Sequence, residues 1–508
     1  MARTAVPPKK TIVKKMNYLT GFLLGFGLLL SGCNKDDDGV TKPDGPDPNA
    51  ANLDVQDFMY KAMNLWYFWQ GEVDILADDA FATDAEYTDF LEANPNPETF
   101  YFDVLLFSDD RFSFLSEDYK ELTQNLSGIS QNNGMEFGLV AFSNSDDIFG
   151  YVRYIIPNSD ASTKNIERGD IFIGVDGVTL TRNNYTELLF GDNATYTLTM
   201  ANITDGQISA NGEEVTLTKE EGFQENPVFI TKTFDVSGTK IGYLMYNGFT
   251  NEFDEQLNEA FGQLKADGAT ELVIDFRYNG GGSVNSSRLL SSMIYGTNTN
   301  ELYIRQRWND KIQAAFSPSD LEDYFAATTG SGTPINTLNL SRVYVLTTSS
   351  TASASELVIN GLDPYINVIQ VGTTTRGKNE FSLTMVDDPN RQGAPYIYTP
   401  SRENNINPDN SWAIQPLVGR NENSVGFSDY TGGFAPEIEL QEDLENLGVL
   451  GELDEPLLAR AIQEITGAGA KFDFTVEMPA EAFTSSKMFS PLKDNMVLDK
   501  DFYLPEIQ

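Results

Sequence analysis

The stretch TTSSTASASE, residues 347–356, is dense in hydroxyls and follows RVYVL, an apolar run that reads as a buried strand. Ser353 and Glu356 form the S-x-x-E pattern of a helix capping box. The same serine at a helix N-terminus would also lie beside free backbone N–H groups and the positive dipole end, which suits an oxyanion. The 508 residues contain no histidine, so a nucleophilic serine would need another base. Lysine can serve when neutral. Bringing its pKa from about 10.4 to about 7 corresponds to about 4.6 kcal/mol, a shift of the size that burial supplies. The acidic field of this chain stabilises the ammonium and opposes the shift. Local desolvation must therefore win, aided by Arg376 if its charge approaches Lys378. On the residues alone, structural cap and nucleophile both stand.

Three loops could bring such groups together. From residue 231 strands and helices alternate. KIGYLMYNGF reads as a strand, FDEQLNEAFGQLKADG as an amphipathic helix ending at glycine, and ELVIDFR as a buried strand. The helix VNSSRLLSSMIY, the strand RVYVLTT, the helix ASELVINGL and the strand NVIQVG follow, giving an α/β layer with a partly parallel sheet. YNGGGS, TSSTASASE and TTTRGK each follow the C-terminal end of a strand, the edge where open α/β sheets bind ligands. Residues 386–435 read as loop-rich, EPLLARAIQEIT as a helix, and residues 466–508 as a tail with no assigned role.

Upstream, the apolar spacing of LDVQDFMYKAMNLWYFWQ, with Trp66 and Trp69 in the core, predicts a helical N-terminal domain over 53–127. Residues 130–230 carry short β-type runs punctuated by Gly, Asn and Asp. Within them PNSDA followed by IERGDIFIGVDG resembles the PDZ-domain pattern. GMEFGL then falls where such domains receive a peptide's terminal carboxylate, which makes Gly134, Phe137, Gly138 and Leu139 the expected peptide loop. An ordinary β-rich domain with tight turns is the alternative.

Taken together, these residues carry a family resemblance over roughly residues 55–465. The chain resembles the C-terminal processing (tail-specific) peptidases, serine peptidases that use a Ser/Lys dyad and carry a PDZ domain. DFRYNGGG, residues 275–282, looks like the family's oxyanion loop, TASASE like its nucleophile motif and VGTTTRGK like its lysine loop. Lys378 follows Ser353 by 25 residues, as the family pattern requires. The resemblance implies a multidomain α/β protein: a helical N-terminal domain, a PDZ-like β-rich domain and a crotonase-like catalytic core over 231–465. It makes Ser353 the nucleophile and Lys378 the general base, with the N–H groups of Ala354 and of Gly281 or its neighbour on the oxyanion. Glu356 and Asn279 would orient the helix and the glycine loop. No cofactor and no metal is implied. The chain departs from the pattern at Thr373 and Thr374, where the family often has Glu-Pro. It departs again at Ser382, where a lysine-orienting glutamine is common, and there a hydroxyl would take over that task.

Composition bounds the partners. With 34 basic and 75 acidic residues the formal charge is -41, which repels phosphate backbones and argues against nucleic acid. The lone cysteine, Cys33, excludes an intramolecular disulfide. Lysines 9, 10, 14 and 15, the run YLTGFLLGFGLLL and LSGC resemble a bacterial lipoprotein signal over 1–32, with Cys33 lipidated. The Asp-rich tether 33–52 leans towards a cell-envelope protein on the outer membrane, facing outward, whose only membrane contact is its lipid. Its partners would be peptide or protein substrates. A surface peptide-binding lipoprotein on the same scaffold is the second reading. An oligosaccharide-binding lipoprotein is the third, and it leaves the Ser-to-Lys interval unexplained.

Overall fold

The computed structural model describes residues 53–143, 145–204, 206–467, 473–490, 493–498 and 504. The segments read as signal and tether, with Cys33, lie outside the described residues. Asp54–Trp66 is helical, with Asp54 and Asp57 at its positive end. Its apolar face, including Phe58, Met59, Ala62, Met63 and Trp66, is buried. The helix ends at Trp66 because Tyr67 turns extended (ψ 133°), so Trp69 is held outside it, stacked on Phe107 at 5.9 Å. Trp66 donates from Nε1 to the carbonyl of Pro395 (2.9 Å) and packs on Trp308, fastening the helical region to the α/β core. Among the described residues no helix is long and apolar enough to cross a membrane.

The β-rich region is an antiparallel sheet in the order Met135–Ala141, Ile148–Ile155, Ile171–Val175, Thr195–Thr204, Gln207–Thr218. Phe137, Leu139, Val152, Phe172, Leu198 and Leu217 fill its own core.

Val228–Val236 begins the main sheet, pairing antiparallel with Thr239–Tyr246. Glu271–Asp275, Arg342–Thr347, Asn367–Gly372 and Ile438–Glu439 follow in that order, all parallel. Parallel neighbours require crossovers, which the helices Asp254–Ala266, Val284–Ile294 and Ala354–Leu362 supply. The strands preceding the three candidate loops are consecutive neighbours, so the loops emerge side by side at one edge.

A second six-stranded sheet runs across that edge: Gly281–Ser283, Asn495–Val497, Glu380–Ser382, Leu417–Asn423, Leu302–Trp308, Glu322–Tyr324. It corrects two expectations. The segment read as loop-rich contains the strand Leu417–Asn423, whose alternate residues Leu417, Gly419, Asn421 and Asn423 are buried although half of them are polar. The C-terminal tail supplies a strand between the glycine loop and the strand after Lys378.

Beneath the glycine loop, Arg277 is fully buried. Its guanidinium bonds Asp275, Glu442 (3.1 Å) and Glu455 (2.6 and 2.8 Å). Glu442 also takes Arg168 of the β-rich region (2.6 Å) and Tyr278 Oη (2.7 Å), so one ionic network joins the β-rich sheet to the core. These two cations hold the Glu442 carboxyl down near 2 against the upward push of its burial.

Candidate active site

Ser353 opens the helix Ala354–Leu362 with φ 62° and ψ -111°, a conformation that non-glycine residues rarely adopt. Its surroundings hold it there. Its amide donates to Glu356 Oε2 (2.8 Å), and its carbonyl accepts from Leu357 (2.8 Å). Just upstream, the amide of Ala352 bonds the carbonyl of Asn279 (3.0 Å). Ser353 and Glu356 are arranged as a capping box, in which the bond from the Ser353 amide to Glu356 is the short one. The Ser353 hydroxyl is buried without a hydrogen-bond partner.

The glycine loop presses against this serine. A Cβ at Gly281 would lie 2.6 Å from Ser353 Cβ, 3.0 Å from its Oγ and 2.3 Å from the carbonyl oxygen of Asn495. With φ 108° as well, the position requires glycine. Gly281→Ala is expected to displace Ser353 and lower turnover ~10²-fold, read as kcat on a peptide substrate with the melting temperature as control. Asn279 fixes the loop, donating from Nδ2 to the carbonyl of Tyr246 (2.7 Å) and accepting from Gly281 N (2.9 Å). That second bond corrects an expectation, since the Gly281 amide is committed to Asn279 rather than open to an oxyanion. Ala354, the first helical residue, has an amide with no intrahelical acceptor in such a position.

Lys378 is 2% exposed, and its amide donates to the same Glu356 oxygen as that of Ser353 (2.9 Å). Glu356 Oε1 takes Thr375 Oγ1 (2.5 Å) and Gly377 N (2.6 Å). One carboxylate thus ties the serine's helix to the lysine's loop, a reach the sequence did not assign to it. Burial pushes the Glu356 carboxyl up to about 7, against the four bonds that favour its charge. Burial also brings Lys378 down to about 8, with Asp494, Glu380, Asp110 and Glu356 opposing. An amine with that pKa is neutral in about a tenth of molecules at pH 7.

The amine itself donates to the main-chain carbonyl of Asp494 and lies 5.3 Å from the Phe112 ring centroid. A Ser353–Lys378 bond is therefore not made in this arrangement. Arg376 pairs with Asp494 Oδ2 (3.2 Å) and gives its amide to the carbonyl of Thr351 (2.9 Å). Ser382, expected to orient the lysine, donates to Asn495 Oδ1 (2.9 Å) and accepts from Gln415 Nε2 (2.9 Å). Arg111 reaches the carbonyl of Gly377 (2.5 Å) from the N-terminal region, a contact without a sequence signal.

At the expected peptide loop, the Gly134 amide is taken by Asn132 Oδ1 (2.7 Å) inside its own domain. Phe137, Gly138 and Leu139 form the sheet edge, and the tail pairs with them.

Comparison with known proteins fits this geometry. Residues 240–409 match peptidase family S41, and residues 54–114 match the peptidase S41 N-terminal domain. These two stretches resemble peptidase S41 domains. The first match contains Ser353, Lys378 and the glycine loop. A carboxyl-terminal-processing protease of Picosynechococcus is 25% identical over 283 residues, 54% of this chain. The match spans 61% of that relative's length. A crystal structure described as that of an S41 protease from Bacteroides fragilis is 26% identical, with TM-score 0.62, over 80% of this chain and 97% of that one. The stretch matched to family S41 thus spans the three loops gathered here, and the N-terminal match ends at the segment that lies over Lys378.

Proposed function

We propose that the chain is a serine endopeptidase working through Ser353 and Lys378. The observation that carries this reading is the shared Glu356 oxygen, which holds a strained, unpartnered serine and a buried, neutralisable lysine on adjoining loops. Ser353 Oγ attacks the scissile carbonyl carbon and gives its proton to the neutral Lys378 amine. The Ala354 amide and a glycine-loop amide receive the oxyanion. The lysinium then protonates the leaving amine, and water, deprotonated by the same lysine, releases the acyl group. Lys378 must leave the Asp494 carbonyl to do this. The β-rich domain, read as PDZ-like, offers its Phe137–Leu139 edge to C-terminal tails by strand addition. Anchoring through Cys33 at the outer membrane belongs to the same proposal and is supported by the LSGC box.

The test is peptide cleavage from pH 6 to 10. kcat/KM rises with pH and levels off above about 8, where the amine is neutral. Ser353→Ala removes the activity at every pH. The second reading, a peptide-binding protein, is favoured by the engagement of the lysine amine with Asp494. Peptide binding without cleavage across that range would select it.

A further inference from the structure

The C-terminal tail touches both places where a peptide would dock. At the β-rich sheet, Thr484–Ser485 adds an antiparallel strand to the free edge, Thr484 opposite Leu139 and Ser485 opposite Gly138. Phe483 N donates to the Leu139 carbonyl (2.9 Å), and Ser486 Oγ accepts from Phe137 N (2.9 Å) while donating to Glu136 (2.5 Å). Phe489 stacks on Phe190 with centroids 3.8 Å apart, and Phe190 in turn stacks on Phe137. A main-chain ladder with an aromatic anchor beside it is how an added peptide strand is held.

At the other end, Asn495–Val497 runs parallel to Gly281–Ser283 and meets the strand after Lys378 at Ser382. Asn495 N donates to Gly280 O (3.2 Å), and Leu498 N to Ser382 O (3.3 Å). The Lys378 amine and the Arg376 guanidinium both hold Asp494. Asn495 and Met496 are 1% and 0% exposed. A cavity of about 600 Å³ continues beside this strand, lined by Gly282, Ser283, Leu383, Val497 and Leu498. These contacts take up the hydrogen-bonding groups that an incoming peptide would use.

We infer that the chain's own C-terminal segment is the resident ligand of its peptide site, held at the Phe137–Leu139 edge and across the Ser353–Lys378 cleft, so that incoming peptides must displace it. The kinetic consequence rests on the peptidase reading above; the occupancy does not. The tail is an occupant rather than a substrate here, because the amine that would accept the serine's proton is bonded to the tail itself.

The experiment compares the intact chain with tail-released chains. Phe489→Ala with Met496→Asp weakens both attachments, since both side chains belong to the tail. A chain ending at Ala482 gives the same readout by another route and carries the test should the double variant unfold early. In a Ser353→Ala background, a fluorescent peptide of residues 484–498 is titrated into intact and tail-released chains and followed by anisotropy. With Ser353 present, fluorophosphonate labelling and peptide hydrolysis are timed. The released chain is expected to bind the peptide where the intact chain does not. It should also label and hydrolyse ~10-fold faster or more, since a self-occupied site is open only in the undocked fraction. Added tail peptide should reverse that gain. Equal binding by both chains, or by neither, overturns the inference, and hydrolysis alone would then still support the peptidase. Selective binding with no hydrolysis by either chain keeps the inference and sinks the peptidase reading. Self-shortening of the intact chain within the tail, seen by mass, also overturns it.

Discussion

Lys378→Met is expected to lower peptide hydrolysis by ~10³-fold or more, yet to stabilise the folded chain by about 1–3 kcal/mol at pH 7. The two effects share a cause. Burial brings the Lys378 pKa from 10.5 to about 8, which corresponds to about 3 kcal/mol of penalty on the charged amine. Methionine keeps the length and apolar stem, loses the charge and forfeits the bond to the Asp494 carbonyl. The net shift is downward, so burial outweighs the combined attraction of Asp494, Glu380, Asp110 and Glu356.

The sign of the pH dependence follows. Between about 8 and 10.5 the unfolded chain holds a proton on this lysine that the folded chain has released. Wild-type stability therefore rises with pH through that window. The advantage of the methionine variant should be full below pH 8 and shrink above it. Urea unfolding of both chains at pH 7 and pH 10 checks this. A methionine variant that is less stable at pH 7 would mean that the carboxylates hold the amine charged, and Lys378 could not then serve as the base.

Much of this arrangement was legible because its elements are long and patterned. ASELVINGL and NVIQVG occupy the helix Ala354–Leu362 and the strand Asn367–Gly372 without a shift. Continuous apolar runs bounded by glycine or polar turns give a buried parallel strand few other places to lie. The strand Leu417–Asn423 was lost among turn residues because three of the four residues on its alternating buried face are glycine or asparagine, and the asparagine partners lie elsewhere in the fold. The tail was illegible for another reason. Its strands are two and three residues long, and what makes them strands is the vacant edges they meet at Gly138 and Gly281. Neither periodicity nor propensity encodes a partner. The lysine-orienting role read for Ser382 fails for the same reason, since its hydroxyl is taken by Asn495 of the tail.

Glu356→Gln is expected to lower kcat by ~10²–10³-fold with little change in KM, and to cost about 2–4 kcal/mol of stability. Both carboxylate oxygens act purely as acceptors, Oε2 from the amides of Ser353 and Lys378 and Oε1 from Thr375 and Gly377. A glutamine must turn its NH₂ towards one of these pairs, so two buried donors face a third whichever way the amide is flipped. Either flip loosens a loop on which the chemistry depends. A purely structural loss would lower the amount of folded enzyme without reshaping its pH profile. In the wild type two protons must leave for turnover, one from Glu356 near 7 and one from Lys378 near 8. The logarithm of kcat/KM should therefore climb with a slope approaching about 2 below pH 7. In Glu356→Gln only the lysine titrates, and the slope should drop to about 1. An unchanged slope together with an unchanged kcat, measured on chain that remains folded, would remove Glu356 from the positioning of the pair and leave Ser353 and Lys378 to be aligned by the backbone alone.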